Sequence, residues 1–243
     1  MTSINTQVHM FWAYGNFSKL EYLAASSFLK WGFHLNIWTY SQDLHAPNGS
    51  HIRDAREIIK EASVFTYKNG SYAAFANLFR YAVLSAQGGL WVDADVICMS
   101  GPEDLGKTPF LVSQRLPDGL GIGINNNVVF NPQPQASDII SLALAFTERF
   151  PIEKLQWGDC GPKLLSILVK GYPGIAFPVK KPDYANPIEY WKCPQVLFED
   201  KQALPFGAAF IHLNNENWRR ASVNKDDPYP PNSIMGKLAE MYL

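Results

Sequence analysis

Segments of strand length and of helix length alternate through about the first 100 residues, and this alternation constrains the fold more than any other feature. The strand patterns lie at 8–14, 34–40, 64–67 and 90–97, and the helix patterns between them lie at 18–32, 54–62 and 71–89. Parallel strands need long crossover connections, and a helix between successive strands supplies them. The pattern therefore predicts an α/β fold with a mixed, mostly parallel, Rossmann-like sheet flanked by helices.

Local signals mark the ends of two of these helices. Ser18 and Glu21 have the spacing of a capping box, and Gly32 supplies a stop. Ser71 is expected to cap the third helix, and Gly88 to end it.

The chain beyond residue 100 is less regular. Strand patterns lie at 109–113, 127–131 and 208–213, and helix patterns at 134–150 and 161–171. Asn125, Asn126 and Asn127 form a polar run before a strand, and this run is equally readable as a turn. Because no linker is visible, we predict a single domain over 1–243, with an irregular, turn-rich segment at 225–233.

Composition favours a globular protein with a sizeable core. Hydrophobic residues make up 47% of the 243 residues and charged residues 18%, which argues against general disorder. The net charge of -1 argues against a partner such as duplex nucleic acid, whose binders usually carry a basic surplus.

The cysteines and the apolar runs bear on the compartment. The three cysteines, Cys98, Cys160 and Cys193, form no CxxC pair, so neither a disulfide framework nor a zinc cluster is expected. A reducing, cytoplasmic location fits this usage, with peripheral membrane contact left open. No apolar run approaches the ~18 residues of a transmembrane segment, and the N-terminus has no signal-peptide pattern.

Two carboxylates, Asp93 and Asp95, follow the apolar run LWV within the strand pattern 90–97. In an extended strand, residues two apart face the same side, so like charges would lie close together and require a cation. The carboxyl ends of parallel strands form the edge where α/β proteins bind ligands, and Mg²⁺ or Mn²⁺ suits carboxylates there. The alternative is that one aspartate caps a turn while the other faces water.

The preceding helix carries two further polar residues. Asn77 and Arg80 lie three positions apart on it, one helix back from the acids. Arg80 is a permanent cation with bidentate geometry, so it can approach the same edge, either toward a ligand or in an ion pair with one of the aspartates.

In combination these features resemble a known motif. The segment 75–96, FANLFRYAVLSAQGGLWVDADV, is similar to DXD-containing sugar transferases of the glycosyltransferase 32 type, which are related to the glucosylating clostridial toxins and to capsular and mannosyl transferases. Weaker similarities lie at 8–18, 124–137, 157–165 and 210–218.

The resemblance implies a GT-A fold and a hexosyltransferase that uses a UDP- or GDP-sugar, with retention, in glycan or polysaccharide synthesis. It implies Mn²⁺ (or Mg²⁺) held by Asp95, and by Asp93 through water, against the donor diphosphate. The donor would bind to about 1–100, and a glycan, lipid-linked or protein acceptor to about 101–243.

The same resemblance assigns roles to single residues on the donor side. Arg80 would contact the donor sugar or its phosphate as a catalytic residue, beside Asp95. Asn77 stands where these transferases usually have Asp, which binds sugar hydroxyls, so the departure bears on donor identity. Trp91 replaces a more usual Tyr, and Trp12 would stack on the nucleobase unless it is a core residue.

Two later residues complete the predicted site. His212 would be a metal or diphosphate ligand, with a buried structural histidine as the alternative. Asp159, next to the Gly161-Pro162 turn, is predicted to serve catalysis on the acceptor side.

Two other functions compete with sugar transfer. A haloacid-dehalogenase-like phosphatase also ends a strand in DxD, with the first aspartate attacking phosphate. The third candidate is a nucleotide-sugar-binding module without turnover, for which the Asn77 departure is the sequence support.

Overall fold

The computed structural model describes residues 6–134, 139–174 and 177–243. The strands are β1 (Gln7–Phe11), β2 (His34–Thr39), β3 (His51–Asp54), β4 (Gly89–Val92), β5 (Val96–Cys98), β6 (Phe110–Arg115), β7 (Ile122–Asn131), β8 (Val179–Lys180) and β9 (Phe210–His212). The α-helices are α1 (Lys19–Lys30), α2 (Ala73–Gln87), α3 (Ile139–Arg149), α4 (Pro162–Gly171), α5 (Pro182–Ala185), α6 (Gln195–Phe198), α7 (Asn215–Arg220) and α8 (Ile234–Tyr242).

Seven strands form the central sheet in the order β3-β2-β1-β4-β7-β6-β8. The pairings β1–β2, β1–β4, β2–β3 and β6–β8 are parallel, and β7 is antiparallel to both of its neighbours. Six strands therefore run in one direction and β7 runs against them. This architecture confirms the predicted α/β class and its mixed, mostly parallel sheet.

Helices cover both faces of the sheet, as the alternation predicts. In β1 the side chains of Val8 and Met10 enter an apolar cluster with Phe28 of α1, whereas Phe11 enters a second cluster with Phe79 of α2. Successive strand residues point to opposite faces, so one strand supplies both cores. A third cluster joins α1 to the two-stranded sheet β5–β9 and to α8.

The first helix begins and ends as expected. The Ser18 side chain accepts from the backbone of α1 while Glu21 reaches back to the Ser18 backbone, and Gly32 follows the helix with φ +81°. The cap of α2 differs: the helix begins after Tyr72, which makes no side-chain cap, and the Ser71 hydroxyl accepts from the N–H of Ala73 at 3.3 Å. Gly88 ends α2, as predicted.

Several predicted segments are shorter or differently folded. The strand at 8–14 ends at Phe11, and the helix at 54–62 is instead two 3-10 turns, Ala55–Glu57 and Glu61–Ser63. The 64–67 segment is not a strand, because β3, which the sequence pattern did not indicate, takes the edge position beside β2.

The remaining differences lie in the second half. The helix predicted at 134–150 is described only as α3, since 135–138 lie outside the described residues. The asparagines at 125–127 belong to β7, and the C-terminal helix α8 follows the predicted turn-rich segment.

No helix among the described residues is long and apolar enough to cross a bilayer.

His9 of β1 has no exposed surface. Its Nε2 lies 3.0 Å from the Gly88 carbonyl, and its Nδ1 accepts from the Trp38 indole N–H at 3.1 Å, so the imidazole is neutral with its proton on Nε2. Burial lowers the pKa of His9 from 6.5 to about 4.

This burial predicts acid destabilisation. Above pH 6.5 the imidazole is neutral in both the folded and the unfolded protein. Between pH 6.5 and about 4 only the unfolded chain binds the proton, so the free energy of unfolding falls as the pH is lowered through that window. We expect His9 to account for about 3 kcal/mol of the loss. Urea unfolding of wild type and His9→Gln at both ends of the window measures this, and parallel pH profiles for the two proteins would contradict it.

Candidate functional site

A cleft of about 530 Å³ opens where β1 and β4 end. Its walls come from the segment after β1, the start of α2, the turn after β4, the loop before α4 and the segment after β9, with Trp12, Asn77, Asp95, Trp157 and His212 as members. The cleft therefore lies at the carboxyl edge of the parallel strands, where the sequence placed the two acids.

The aspartates lie in a turn, not in an extended strand. The ladder of β4 with β7 ends at Val92, the N–H of Asp93 still donates to the Asn127 carbonyl at 2.8 Å, and the N–H of Val96 then folds back onto the Asp93 carbonyl. The expectation of one strand over 90–97 is therefore wrong, because the chain leaves the central sheet here and continues as β5 in the second sheet. The turn, rather than strand alternation, brings both carboxylates to the cleft.

Arg80 and Trp91 hold the first carboxylate. Arg80 is 2% exposed, and its Nη2 donates to Asp93 Oδ1 at 2.6 Å. The same oxygen accepts from the Trp91 indole N–H at 2.8 Å, and the guanidinium lies 4.8 Å from the centre of the Trp91 ring. Trp91 is itself buried at the edge of the cleft, and its predicted place in the donor site stays a prediction. The ion pair left open by the sequence is thus present, and among the described residues no hydrogen bond reaches Asp93 Oδ2.

Asn77 lies between Arg80 and the asparagine run of β7. Its Oδ1 accepts from Arg80 Nη1 and from Asn126 Nδ2, the latter at 2.8 Å. Its Nδ2 faces Gly161, and a Cβ added at that glycine would lie 3.1 Å from this nitrogen. The side-chain carbonyl oxygen of Asn77 thus already accepts two hydrogen bonds from the protein, and its N–H₂ group is available to donate to a ligand in the cleft.

His212 of β9 meets the second carboxylate. Asp95 Oδ2 accepts from the backbone N–H of Asn215 at 2.7 Å and lies 3.3 Å from His212 Nε2. Burial alone would raise the pKa of Asp95, but the His212 imidazolium and the Asn215 N–H outweigh it and hold the pKa below its usual value. Burial likewise opposes the charge on His212, yet Asp95 beside it raises the pKa of the imidazole above 6.5.

Asp93, Asp95 and His212 together fit a divalent cation. One ligand atom from each lies within 4.8 Å of the others. Two ligands at about 2.1 Å from one ion at a right angle are about 3 Å apart, close to the separation of Asp95 and His212. Two carboxylates with one imidazole suit Mn²⁺ better than Mg²⁺, which prefers oxygen alone. The predicted metal ligands are therefore brought together from the two halves of the chain.

Trp12 combines the two predicted alternatives. It packs against the first apolar cluster and meets the Phe17 ring edge-on at 5.5 Å, yet it also lines the cleft. Lys225 Nζ lies 5.6 Å from its ring centre, and its indole N–H is buried without a hydrogen-bond partner.

Asp159 is turned toward its own loop. Its carboxylate accepts from the backbone N–H of Gln156 at 2.9 Å and from Lys163 Nζ at 3.1 Å, while Trp157 and Gly158 of the same loop line the cleft. The backbone hydrogen bond and Lys163 keep the pKa of Asp159 below its usual value. Its catalytic role stays a prediction.

Sequence reasoning missed three asparagines around the cluster. Asn126 Nδ2 donates to Asn77 Oδ1, and the backbone N–H of Asn215 donates to Asp95. The side-chain oxygen of Asn186 lies 3.2 Å from His212 Nδ1. The polar run at 125–127 was a visible signal for Asn126. Asn186 and Asn215 approach the site only through tertiary packing, so local spacing gave no sign of them.

Comparison with known proteins places the motif in a family. The family model described as the glycosyltransferase sugar-binding region containing the DXD motif matches residues 11–111. This match confirms the resemblance seen in segment 75–96. No curated protein sequence matches the chain.

Comparison with solved structures finds glycosyltransferases at low sequence identity. PaToxG glycosyltransferase is 18% identical with a TM-score of 0.49, and the match covers 70% of this chain and 71% of that one. GlyE from Streptococcus pneumoniae TIGR4 is 18% identical with a TM-score of 0.48, covering 97% of this chain and 60% of GlyE. The bifunctional glycosyltransferase WbbM is 10% identical with a TM-score of 0.46, covering 98% and 52%.

These chains extend beyond the shared part, since the protein spans 60% of GlyE and about half of WbbM. The family match covers the turn with both aspartates, and the strand order supplies the predicted sheet. Residues 11–111 are therefore similar to the sugar-binding region of DXD-containing glycosyltransferases, and they include the turn with Asp93 and Asp95.

Proposed function

We propose that the protein is a metal-dependent hexosyltransferase that moves a sugar from a nucleoside-diphosphate sugar to an acceptor hydroxyl. The observation that carries this is the meeting of Asp93, Asp95 and His212 in the cleft, with Arg80 behind them. Such a cluster offers a divalent ion two carboxylates and an imidazole, and it leaves coordination positions for a diphosphate.

The charges of the site suit a departing nucleoside diphosphate. A bound Mn²⁺ would act as a Lewis acid that neutralises the leaving group. Arg80 fixes Asp93 beside the cleft and adds a positive charge that is largely removed from solvent, since its side chain is 3% exposed. The donor sugar lies, in this proposal, on the Asn77 side, where the amide N–H₂ donates to a sugar hydroxyl. Trp12 offers its ring to the nucleobase.

Retention with front-side attack, without a covalent intermediate, agrees with the fact that each carboxylate lining the cleft already has a partner. Among the described lining residues these are Asp93, Asp95 and Glu216. The first two belong to the metal cluster, and Glu216 pairs with Arg219 at 2.7 Å and Arg220 at 3.0 Å. None of them is free to act as the covalent nucleophile of a double displacement.

The acceptor would approach past Trp157. This side chain lines the cleft and is 67% exposed, although its loop is fixed on both sides by the contacts of Asp159 and by the Tyr67 hydroxyl, which donates to the Gln156 carbonyl. An aromatic face on a fixed loop suits stacking on a sugar ring. We therefore infer a glycan as the acceptor, ahead of a lipid-linked or protein acceptor, and synthesis of a glycan or polysaccharide as the pathway.

The phosphatase alternative requires one aspartate free to attack phosphate. Asp93 is held through Oδ1 by Arg80 and Trp91, and Asp95 through Oδ2 by Asn215. This tethering favours ligand binding over nucleophilic attack.

A donor panel separates the three candidate functions. The protein is incubated with Mn²⁺ and UDP- or GDP-hexoses with and without oligosaccharide acceptors, and separately with p-nitrophenyl phosphate. Release of a nucleoside diphosphate with formation of a longer glycan supports transfer. Phosphate release alone identifies the phosphatase, and Mn²⁺-dependent binding without turnover identifies the binding module.

Asp95→Asn tests the metal ligand. Loss of this charge removes a ligand, so we expect Mn²⁺ affinity and metal-dependent nucleotide binding to fall by about 100-fold or more. Folding should be nearly intact, because the amide oxygen can still accept from Asn215. Calorimetry with Mn²⁺ and UDP or GDP measures the loss, with the exposed Asp183→Asn as control. Wild-type affinity in the variant would refute the ligand assignment.

The second prediction concerns Asn77→Asp, which restores the usual acid of this motif. Both hydrogen bonds to Oδ1 can persist, so the melting temperature should not fall. The donor to the sugar is replaced by an acceptor, and we expect the affinity for the native donor sugar to drop about tenfold while free nucleotide binds as before. Equal affinity for the donor sugar in both proteins would remove Asn77 from the sugar site.

The third prediction concerns Trp157→Ala. Loss of one stacking face should raise the KM for a glycan acceptor about 2- to 10-fold and leave donor binding unchanged. Steady-state kinetics with varied acceptor tests this. Phe206→Ala is the control, because Phe206 is 79% exposed and does not line the cleft. Identical KM values for both variants would place the acceptor elsewhere.

A further inference from the structure

Asn186 lies directly behind His212 and does not line the cleft. It is 4% exposed and follows α5, with its backbone N–H bonded to the Pro182 carbonyl at 2.7 Å. Its Oδ1 lies 3.2 Å from His212 Nδ1, whereas the other ring nitrogen, Nε2, faces Asp95. The imidazole is thus held between an amide on one side and a carboxylate on the other.

The orientation of the Asn186 amide follows from its other partners. Its Nδ2 lies 3.0 Å from the Ser113 carbonyl, which can only accept, so Nδ2 must point there and Oδ1 must point to the histidine. Asn127, with no exposed surface, forms a reciprocal amide pair with Asn186, at 3.2 Å and 3.3 Å. Rotating the Asn186 amide would place two oxygens against each other at Ser113.

An oxygen facing Nδ1 requires that this nitrogen carry a hydrogen. A lone pair on Nδ1 would meet the lone pairs of Oδ1, whereas an N–H donates to them. Nε2 is then the nitrogen that can offer a lone pair to a ligand, and it is the one on the cleft side beside Asp95. Ligating histidines typically have their second ring nitrogen fixed in this way.

We propose that Asn186 is a positioning residue that keeps the proton of His212 on Nδ1 and thereby presents Nε2 to the divalent ion. The inference rests on the proposed metal site. Asn186 acts through His212 and touches neither the ion nor the substrate. The same amide pair also ties His212 to β7 through Asn127, whose carbonyl holds the N–H of Asp93. One buried network thus sets the positions of a metal ligand from each half of the chain.

The first test is spectroscopic and needs no metal. We expect ¹⁵N NMR of the metal-free wild-type protein, with His212 assigned by comparison with His212→Gln, to show Nδ1 bearing a slowly exchanging proton. A lone-pair-bearing Nδ1 would overturn the proposal. Asn186→Leu should lose the slow exchange, whereas Asn131→Leu should keep it, because Asn131 is a similarly buried residue of β7 whose side chain, among the described residues, bonds only the Leu84 carbonyl.

The second test measures metal affinity. Titration of Mn²⁺, followed by the electron paramagnetic resonance signal of the free ion, should show binding weakened about 10- to 100-fold in Asn186→Leu and unchanged in Asn131→Leu. Wild-type affinity in folded Asn186→Leu would overturn the role of Asn186 while leaving the metal site intact. Failure of the wild type to bind Mn²⁺ would instead overturn the metal site, and the protonation of Nδ1 would still be decided by the first test.

Discussion

The site depends on how two like charges are kept together in one turn. Asp93 and Asp95 lie within a few residues of the end of β4, and each has its own cation: Arg80 at 2.6 Å for the first and His212 at 3.3 Å for the second. The two pairs are chemically different. Arg80 is permanently charged and buried, whereas an imidazole can exchange a proton for a metal ion. A divalent ion can therefore enter on the His212 side while Arg80 keeps Asp93 in place.

The topology follows from the same turn. The antiparallel strand β7 lies beside β4 and contributes the Asn127 carbonyl that receives the Asp93 N–H. Beyond the turn the chain joins a second sheet as β5, whose partner β9 carries His212 opposite Val96. The break between the two sheets thus places an N-terminal acid beside a C-terminal histidine. The cluster takes Asp93 and Asp95 from the predicted donor part and His212 from the predicted acceptor part.

Much of this was predictable from local patterns, and the failures have physical causes. The capping box of Ser18, the stop at Gly88 and the approach of Arg80 to the acids all follow from short-range spacing. The reading of 90–97 as one strand failed because periodicity cannot show that a chain changes sheets. Asn186 was invisible for a related reason, since its role arises from packing 26 residues away from His212 in sequence.

The most direct measurement is anomalous scattering from crystals of the protein soaked with MnCl₂ and a nucleoside diphosphate. The account predicts one manganese peak in the cleft, about 2.2 Å from an oxygen of Asp95 and from His212 Nε2, with the diphosphate on its open side. A manganese peak bound away from the Asp93–Asp95 turn, or a nucleotide bound in the cleft without any ion, would contradict it.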